Sequence, residues 1–393
     1  MSGPLSGIVV ADFSRVLSGP LATMLLGDLG AEVIKVEHPD GGDDTRSWGP
    51  PFVEDTTAYF LSANRNKRSI ACDLRSDHGR KVALALADRA DVLVENFRPG
   101  TMGRLGLSYE ELSARNPGLI YCSISGFGSG AGRDLPGYDF LVQAVGGLMS
   151  ITGPEQGEPV KVGVALVDVI TGLHAVIGVL AALQARAATG AGQRVELNLL
   201  SSLLASLVNQ GSSYATAGVV PGLMGDRHPS IVPYQTLHAA DRPFAVAVGN
   251  DRQFRSFCAA LDRPELADDP RFSHNAGRVE HRLELLEVLE PLLASQPAAH
   301  WLAELEVVGV PSGPINDLAE AFALAERLGL SPLVDVPGTG PRAHQLANPI
   351  SLSQNPPVYR LPPPRHGEHT REILEWLDMS EEAMPPKHDG DSR

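Results

Sequence analysis

At 393 residues, 43% of them hydrophobic, the chain is long enough for one large core and a second domain. A net charge of -15 and a pI near 5.2 exclude a general affinity for nucleic acid or anionic membrane, leaving local basic clusters as places for an anionic ligand. No stretch approaches about 18 uninterrupted apolar residues and no secretory leader opens the sequence, so no membrane partner is expected and the cytoplasm is the expected compartment. Cys72, Cys122 and Cys258 are far apart and share no metal-ligand spacing with the twelve histidines, which reads as buried thiols and no metal site.

In chain order, Gly7 to Phe13 reads as a strand, Gly19-Pro20 opens a helix to Leu29, and Ala31 to Glu37 reads as the next strand. Ser69 to Leu74, a helix from Asp77 to Arg89, and Asp91 to Glu95 continue the alternation. Ser108 and Glu111 form a capping-box signature before a short helix, and Leu119 to Ser125 is strand-like again. Alternation of this kind predicts an α/β fold built on a mostly parallel, doubly wound sheet. Gly126, Gly128 and Ala131 fit G-x-G-x-x-A, but no helix opens on them, so a nicotinamide cofactor is disfavoured.

Val160, Val162, Val164, Leu166 and Val167 read as a β-branched strand, followed by a helix through Ile170, Leu173, Val176, Ile177, Leu180 and Leu183. Asp168 then stands at or beside a helix N-cap, where free N–H groups and the helix dipole favour an ionised carboxylate. An aspartate in that place more often only starts the helix. From Val195 to about Ala217 the chain reads as a strand start and a long apolar helix.

Val219 to Pro233 is a Gly/Pro-rich linker, and Gln235 to Gly249 suggests a small sheet. Helices are expected near Asp251 to Leu261, Val279 to Leu293 and Ala298 to Leu305. Leu333 to Pro364 is Pro-rich, Thr370 to Leu377 is a terminal helix returning to the first domain, and the tail from Pro385 is polar and frayed. The expected division is a large domain over 1–218, a linker and small α+β domain over 219–332, and a linker and C-terminal return over 333–393.

Lys35, His38 and Arg46 surround one strand end and its Gly-rich loop, and Asn96, Phe97, Arg98, Gly100 and Arg104 follow another. Each loop alone is a plausible solvated turn. Together, at strand ends of one open sheet, they suit a phosphate-bearing nucleotide. Tyr138 and Asp139 read either as a hydrogen-bonding pair near a site or as a helix start, and Gly146-Gly147 as a tight turn. With no nucleophile elbow, the remaining candidate chemistry is a carboxylate acting as nucleophile or base.

Six ordered blocks resemble the class III coenzyme A transferases, the CaiB/BaiF family: SGPLATMLLGDLGAEVIKVEHPDGGDDTR, NRNKRSIACDL, DVLVENFRPGTMGRLGLSYEEL, GYDFLVQAVGGLMSITG, VGVALVDVITGLHAVIGVLAAL and GEHTREIL. The resemblance implies an interlocked homodimer, with a large Rossmann-like domain made from N- and C-terminal parts and a smaller domain between them. It makes Asp168 the nucleophile and maps coenzyme A onto Val16, Leu17, His38, Leu74, Asn96, Phe97, Arg104 and Tyr138. Coenzyme A and acyl-CoA enter as substrates, with no permanently bound cofactor.

The implied reaction moves CoA to a free carboxylic acid through aspartyl anhydride and aspartyl-CoA thioester intermediates, with backbone N–H groups at the helix start and at Gly146 and Gly147 as oxyanion donors. The alternative within the family is an α-methylacyl-CoA racemase-like epimerase, which has a histidine where this chain has Tyr138. The chain also departs from the formyl-CoA transferase subgroup. Leu17 stands in place of a glutamine, and GLMGDRHPSIVP replaces a Gly-rich run. Arg227 and His228 in that stretch suit the acceptor carboxylate of a dicarboxylic acid.

Overall fold

The computed structural model describes residues 3–338 and 340–380, so the expected tail from Pro385 lies outside the described residues. The chain divides into two units, one of residues 1–146, 162–217 and 331–393, the other of residues 147–161 and 218–330. The segment 147–161 therefore groups with the second unit, whereas a division at 218 places it in the first.

The first unit is built on six parallel strands: β1 (Val9–Asp12), β2 (Glu32–Glu37), β3 (Lys67–Ala71), β4 (Val92–Glu95), β5 (Ile120–Ser125) and β6 (Arg194–Asn198). Their order across the sheet is β3-β2-β1-β4-β5-β6, the doubly wound arrangement. The helices are α1 (Ser18–Asp28), α2 (Asp77–Arg89), α3 (Tyr109–Arg115), α4 (Asp139–Val145), α5 (Leu166–Thr189), α6 (Leu199–Ser206) and α7 (Val208–Ala217).

Neighbouring strand residues point to opposite faces. Ala11, Ile34 and Leu93 enter one core with Val82, Leu86 and Leu112, while Val10, Val33, Val92 and Val94 enter another with Ala22, Leu26, Ala175 and Val179. Apolar residues at both parities are what a sheet covered on two faces requires. Helix starts follow the local signals: the Ser76 hydroxyl accepts the N–H of Gly79, and Ser108 with Glu111 forms the expected capping box.

The second unit has an antiparallel sheet, with β8 (Pro243–Ala247) between β7 (Tyr234–His238) and β9 (Ser312–Pro314). Phe244, Val246 and Leu237 pack there against Phe254, Phe257, Leu285, Leu289 and Trp301. Its helices are α8 (Asp251–Ala260), α9 (Asn275–Glu280), α10 (Arg282–Leu293), α11 (Ala298–Val307) and α12 (Leu318–Arg327). The three-residue β9 carries no sequence signal of its own, whereas α12, which the sequence reading missed, is announced by the capping box of Asp317 and Glu320.

The chain then returns to the first unit through a hairpin of β10 (Leu333–Asp335) and β11 (His344–Leu346), and ends in α13 (Thr370–Trp376). Ile373 and Leu374 of α13 enter the first core. The same segment covers the edge of β3: Ser69 and Ala71 donate their N–H groups to His369 Nδ1 (3.2 Å) and Thr370 Oγ1 (3.0 Å).

Two expected elements are not formed. The Val160 to Val167 run makes no strand, and α5 begins at Leu166 with Ala165 as its N-cap. β-Branched residues form a strand only beside a ladder partner, and β6 already occupies the place next to β5, while the N–H of Val162 goes to the Gln143 side chain at 2.9 Å. The long helix expected after Val195 is broken between α6 and α7, where Val208 has φ +39°.

Candidate functional site

Asp168 lies in the first turn of α5, 9% exposed. It lines a cavity of about 160 Å³ in the first unit with Arg15, Val16, Ser18, Asn96, Phe97 and Tyr138. These residues come from the turns after β1 and β4 and from the N-terminus of α4, at the carboxyl ends of the parallel strands, where open α/β sheets bind ligands. A second cavity of about 710 Å³ shares Arg15, Phe97 and Arg98 with the first and is lined also by His38, Leu74 and Arg104.

The helix start does not serve Asp168 as expected. The N–H groups of Val167 and Asp168 donate to the carboxylate of Asp139, at 2.8 and 3.2 Å, so the cap is a residue of α4 and those donors are engaged. Burial, and then the negative charge of Asp139, push the Asp168 carboxyl up to about 6, against the nearby Ser18 hydroxyl, which lowers it. It remains mostly ionised at neutral pH but is more basic than an ordinary aspartate.

Ser18 and Asp168 line one cavity because α1 and α5 approach closely. A Cβ on Gly172 would lie 2.7 Å from the carbonyl oxygen of Ser18, so only glycine permits the contact. Val16 has φ +68°, a left-handed conformation that costs a β-branched residue on the order of 1 to 3 kcal/mol.

Asn96 uses its side chain on the protein, accepting the N–H of Arg15 at 2.8 Å and donating to its carbonyl at 2.7 Å. Phe97 lies beneath the Arg15 guanidinium, 5.5 Å from it, and its N–H donates to Glu95 at 2.9 Å. Burial raises the Glu95 carboxyl to about 7, and the Ser123 hydroxyl donates to it. Leu17 is buried as the N-cap residue of α1, while Val16 and Ser18 on either side line the cavity.

His38 accepts the N–H of Asp40 at its Nδ1 (3.1 Å), and Arg104 donates to Thr101 Oγ1 (2.9 Å). Tyr138 is 62% exposed at the N-cap of α4. The N–H of Gly146 closes α4 onto the carbonyl of Val142 at 2.8 Å, so it is engaged as well and does not serve as an oxyanion donor; Gly147, at φ +85°, belongs to the second unit. Arg227 and His228 also lie in the second unit. There Arg227 pairs with Glu155, and the His228 ring meets that of Tyr234 at 5.2 Å.

Lys35 and Arg46, expected near an anionic ligand, are internal. Lys35 is fully buried and pairs with Asp43 at 2.9 Å, and Arg46 grips Glu37 at 2.8 and 2.7 Å. Tyr59, in the helical turn Ala58–Leu61, escaped the sequence reading. Burial, then the charges of Asp168, Asp139 and Asp43, push its hydroxyl up to about 12, so it stays protonated and able to donate. No pattern over a few residues could reveal it, because Tyr59 is remote from Asp168 in sequence.

The chain is similar to known proteins along nearly its whole length. The family described as CoA-transferase family III matches residues 5–370. The succinate–glutarate CoA-transferase of Agrobacterium fabrum is 42% identical over 391 residues, covering 98% of both chains. The acetyl-CoA:oxalate CoA-transferase of Acetobacter aceti is 42% identical, covering 89% of this chain and 90% of that one. A crystal structure of a CAIB/BAIF family protein from Brucella suis superposes with a TM-score of 0.85 at 43% identity, covering 96% of this chain and all of the other.

Proposed function

The chain belongs to CoA-transferase family III and is a carboxylate CoA-transferase, and from that premise we propose that it transfers coenzyme A to a dicarboxylic acid through covalent intermediates on Asp168. The observation that carries the reading is the buried, basic carboxylate of Asp168 in a small cavity that adjoins a larger one at His38, Leu74 and Arg104. An elongated acyl-CoA suits that pair of cavities, with its thioester end at Asp168.

The Asp168 carboxylate attacks the thioester carbonyl, forming an aspartyl-acyl anhydride and expelling CoA thiolate. The thiolate attacks the aspartyl carbonyl, giving an aspartyl-CoA thioester and the free donor acid. The acceptor carboxylate attacks that thioester, and the released thiolate then takes the acceptor's acyl group and frees Asp168. The raised basicity of Asp168 strengthens it as a nucleophile while leaving it largely ionised near pH 7. Ser18 lines the same cavity as Asp168, and its hydroxyl favours the charged form.

For the acceptor, the relatives act on glutarate and oxalate by name, which supports a dicarboxylic acid. Racemase-like chemistry is disfavoured because it needs a second base, and the cavity offers Tyr138 and, among the described residues, no histidine. A homodimer is supported by apolar side chains left open on the first unit, including Ile177 of α5, 63% exposed, and Leu204 and Tyr214.

The test is to incubate the protein with succinyl-CoA and hydroxylamine and to locate the modified residue by mass spectrometry. The expected product is a hydroxamate at Asp168, and Asp168→Ala should lower transfer about a thousandfold or more. No adduct, together with solvent deuterium entering the α-carbon, would transfer support to the epimerase.

A further inference from the structure

The turn between β1 and α1 is held from outside at each backbone polar group from the N–H of Ser14 to that of Val16. Ser14 donates its N–H to Asp12 (3.0 Å) and its carbonyl accepts from Lys35 Nζ (2.9 Å). Arg15 gives both groups to the Asn96 side chain, at 2.8 and 2.7 Å. The N–H of Val16 lies 3.3 Å from each carboxylate oxygen of Asp43.

Asp43 is itself anchored. It is buried, receives Lys35 Nζ at 2.9 Å and the N–H and hydroxyl of Thr45 at 3.0 and 2.7 Å, and its own N–H donates to Glu37 at 3.0 Å. Two residues beyond Val16 stands Ser18, which lines the same cavity as Val16 and Asp168. A valine at φ +68° relaxes toward negative φ unless its surroundings hold it, and the relaxed turn would carry Ser18 and the Val16 cavity wall away from the carboxylate.

We propose that Asp43 is a positioning residue for the transfer reaction: by holding the N–H of Val16 it keeps that residue left-handed, and so keeps Ser18 and the cavity wall set against Asp168. This rests on Asp168 being the nucleophile. The alternative is that Asp43 only neutralises buried Lys35, which would make it matter for stability and not for the geometry at Asp168.

Asp43→Ser removes both contacts, and rescue by Val16→Gly separates the two roles. A serine still caps Thr45, as short hydroxyl side chains do, but is too short to reach Val16. The rate of Asp168 acylation by succinyl-CoA, measured on protein shown folded by circular dichroism, should fall about 10- to 100-fold. Adding Val16→Gly to that variant should recover a third or more of the loss on a logarithmic scale, because glycine adopts positive φ without a holder. Val16→Gly alone sets the reference for the lost side chain.

Should Asp43→Ser not fold, the pair Lys35→Met with Asp43→Ser, which strands no buried charge, carries the same comparison with and without Val16→Gly. Acylation at the wild-type rate in folded Asp43→Ser, or a loss that Val16→Gly leaves untouched, overturns the role of Asp43 alone. No adduct in the wild-type protein overturns the reading of Asp168 and this inference with it.

Discussion

Replacing Asp139 by asparagine removes a charge beside Asp168 while keeping an acceptor for the α5 N–H groups. In the wild-type protein burial, the larger cause, and the Asp139 charge together raise the Asp168 carboxyl from 3.8 to about 6. Asp139→Asn leaves the burial and removes the charge, so the Asp168 pKa should fall by on the order of one pH unit, about 1.4 kcal/mol of electrostatic energy. The acid limb of the kcat/KM profile for acyl-CoA then moves to lower pH. At pH 5.5 the ionised fraction rises from roughly a quarter to roughly three quarters, about a threefold gain relative to the plateau. On the plateau near pH 8 the variant should be no faster, since its nucleophile is less basic.

The assay is the initial rate of CoA-ester exchange by chromatography from pH 5 to 8.5. The stability sign follows from the same shift. Because the folded pKa of Asp168 lies above its unfolded value, its ionisation opposes folding above pH 6 and not below pH 4. Asp139→Asn should therefore raise the melting temperature more at pH 7.5 than at pH 4.5. An acid limb that stays in place or moves upward would refute the coupling between the two carboxylates.

Three further outcomes follow from the same contacts. Gly172→Ala puts a Cβ 2.7 Å from the Ser18 carbonyl and should cost about 1 to 3 kcal/mol in urea unfolding along with transfer activity; unchanged stability would deny the close approach. Asp28→Ala strands the buried Arg65 guanidinium, which Asp28 holds at 2.8 and 2.5 Å, and should cost about 3 to 5 kcal/mol by the same measurement. Lys35 holds the Asp43 carboxyl down to about 2 against burial, so Asp43 adds stability above pH 3.8 that is lost as the pH falls toward 2, about 2 kcal/mol. Urea midpoints at pH 5 and 2.5 should therefore differ less when Lys35→Met and Asp43→Ser are combined.

Much of the first unit was legible before its structure. β1, β2, α2 and β4 fall within a residue or two of their expected places, and the Ser108–Glu111 cap forms as expected, because periodicity, caps and Gly/Pro punctuation act over a few residues. The ordered blocks likewise carried the family. Where local signals misled, a distant partner had decided the outcome. The valines before Asp168 found no ladder partner, and Lys35 and Arg46 found carboxylates inside the fold instead of a ligand.

The sequence by itself determined the alternation of strands and helices, the return of the terminal helix, and an aspartate in the first turn of α5. Only the tertiary structure decided what surrounds that aspartate. Asp139 takes the helix-start donors and adds its charge, Ser18 lines the same cavity, and Gly172 lets α1 close on α5. The reason is one of range. A cap or a period is complete within a turn or two of chain, whereas the charge on Asp168 is set by desolvation and by neighbours that the fold alone brings within a few ångströms.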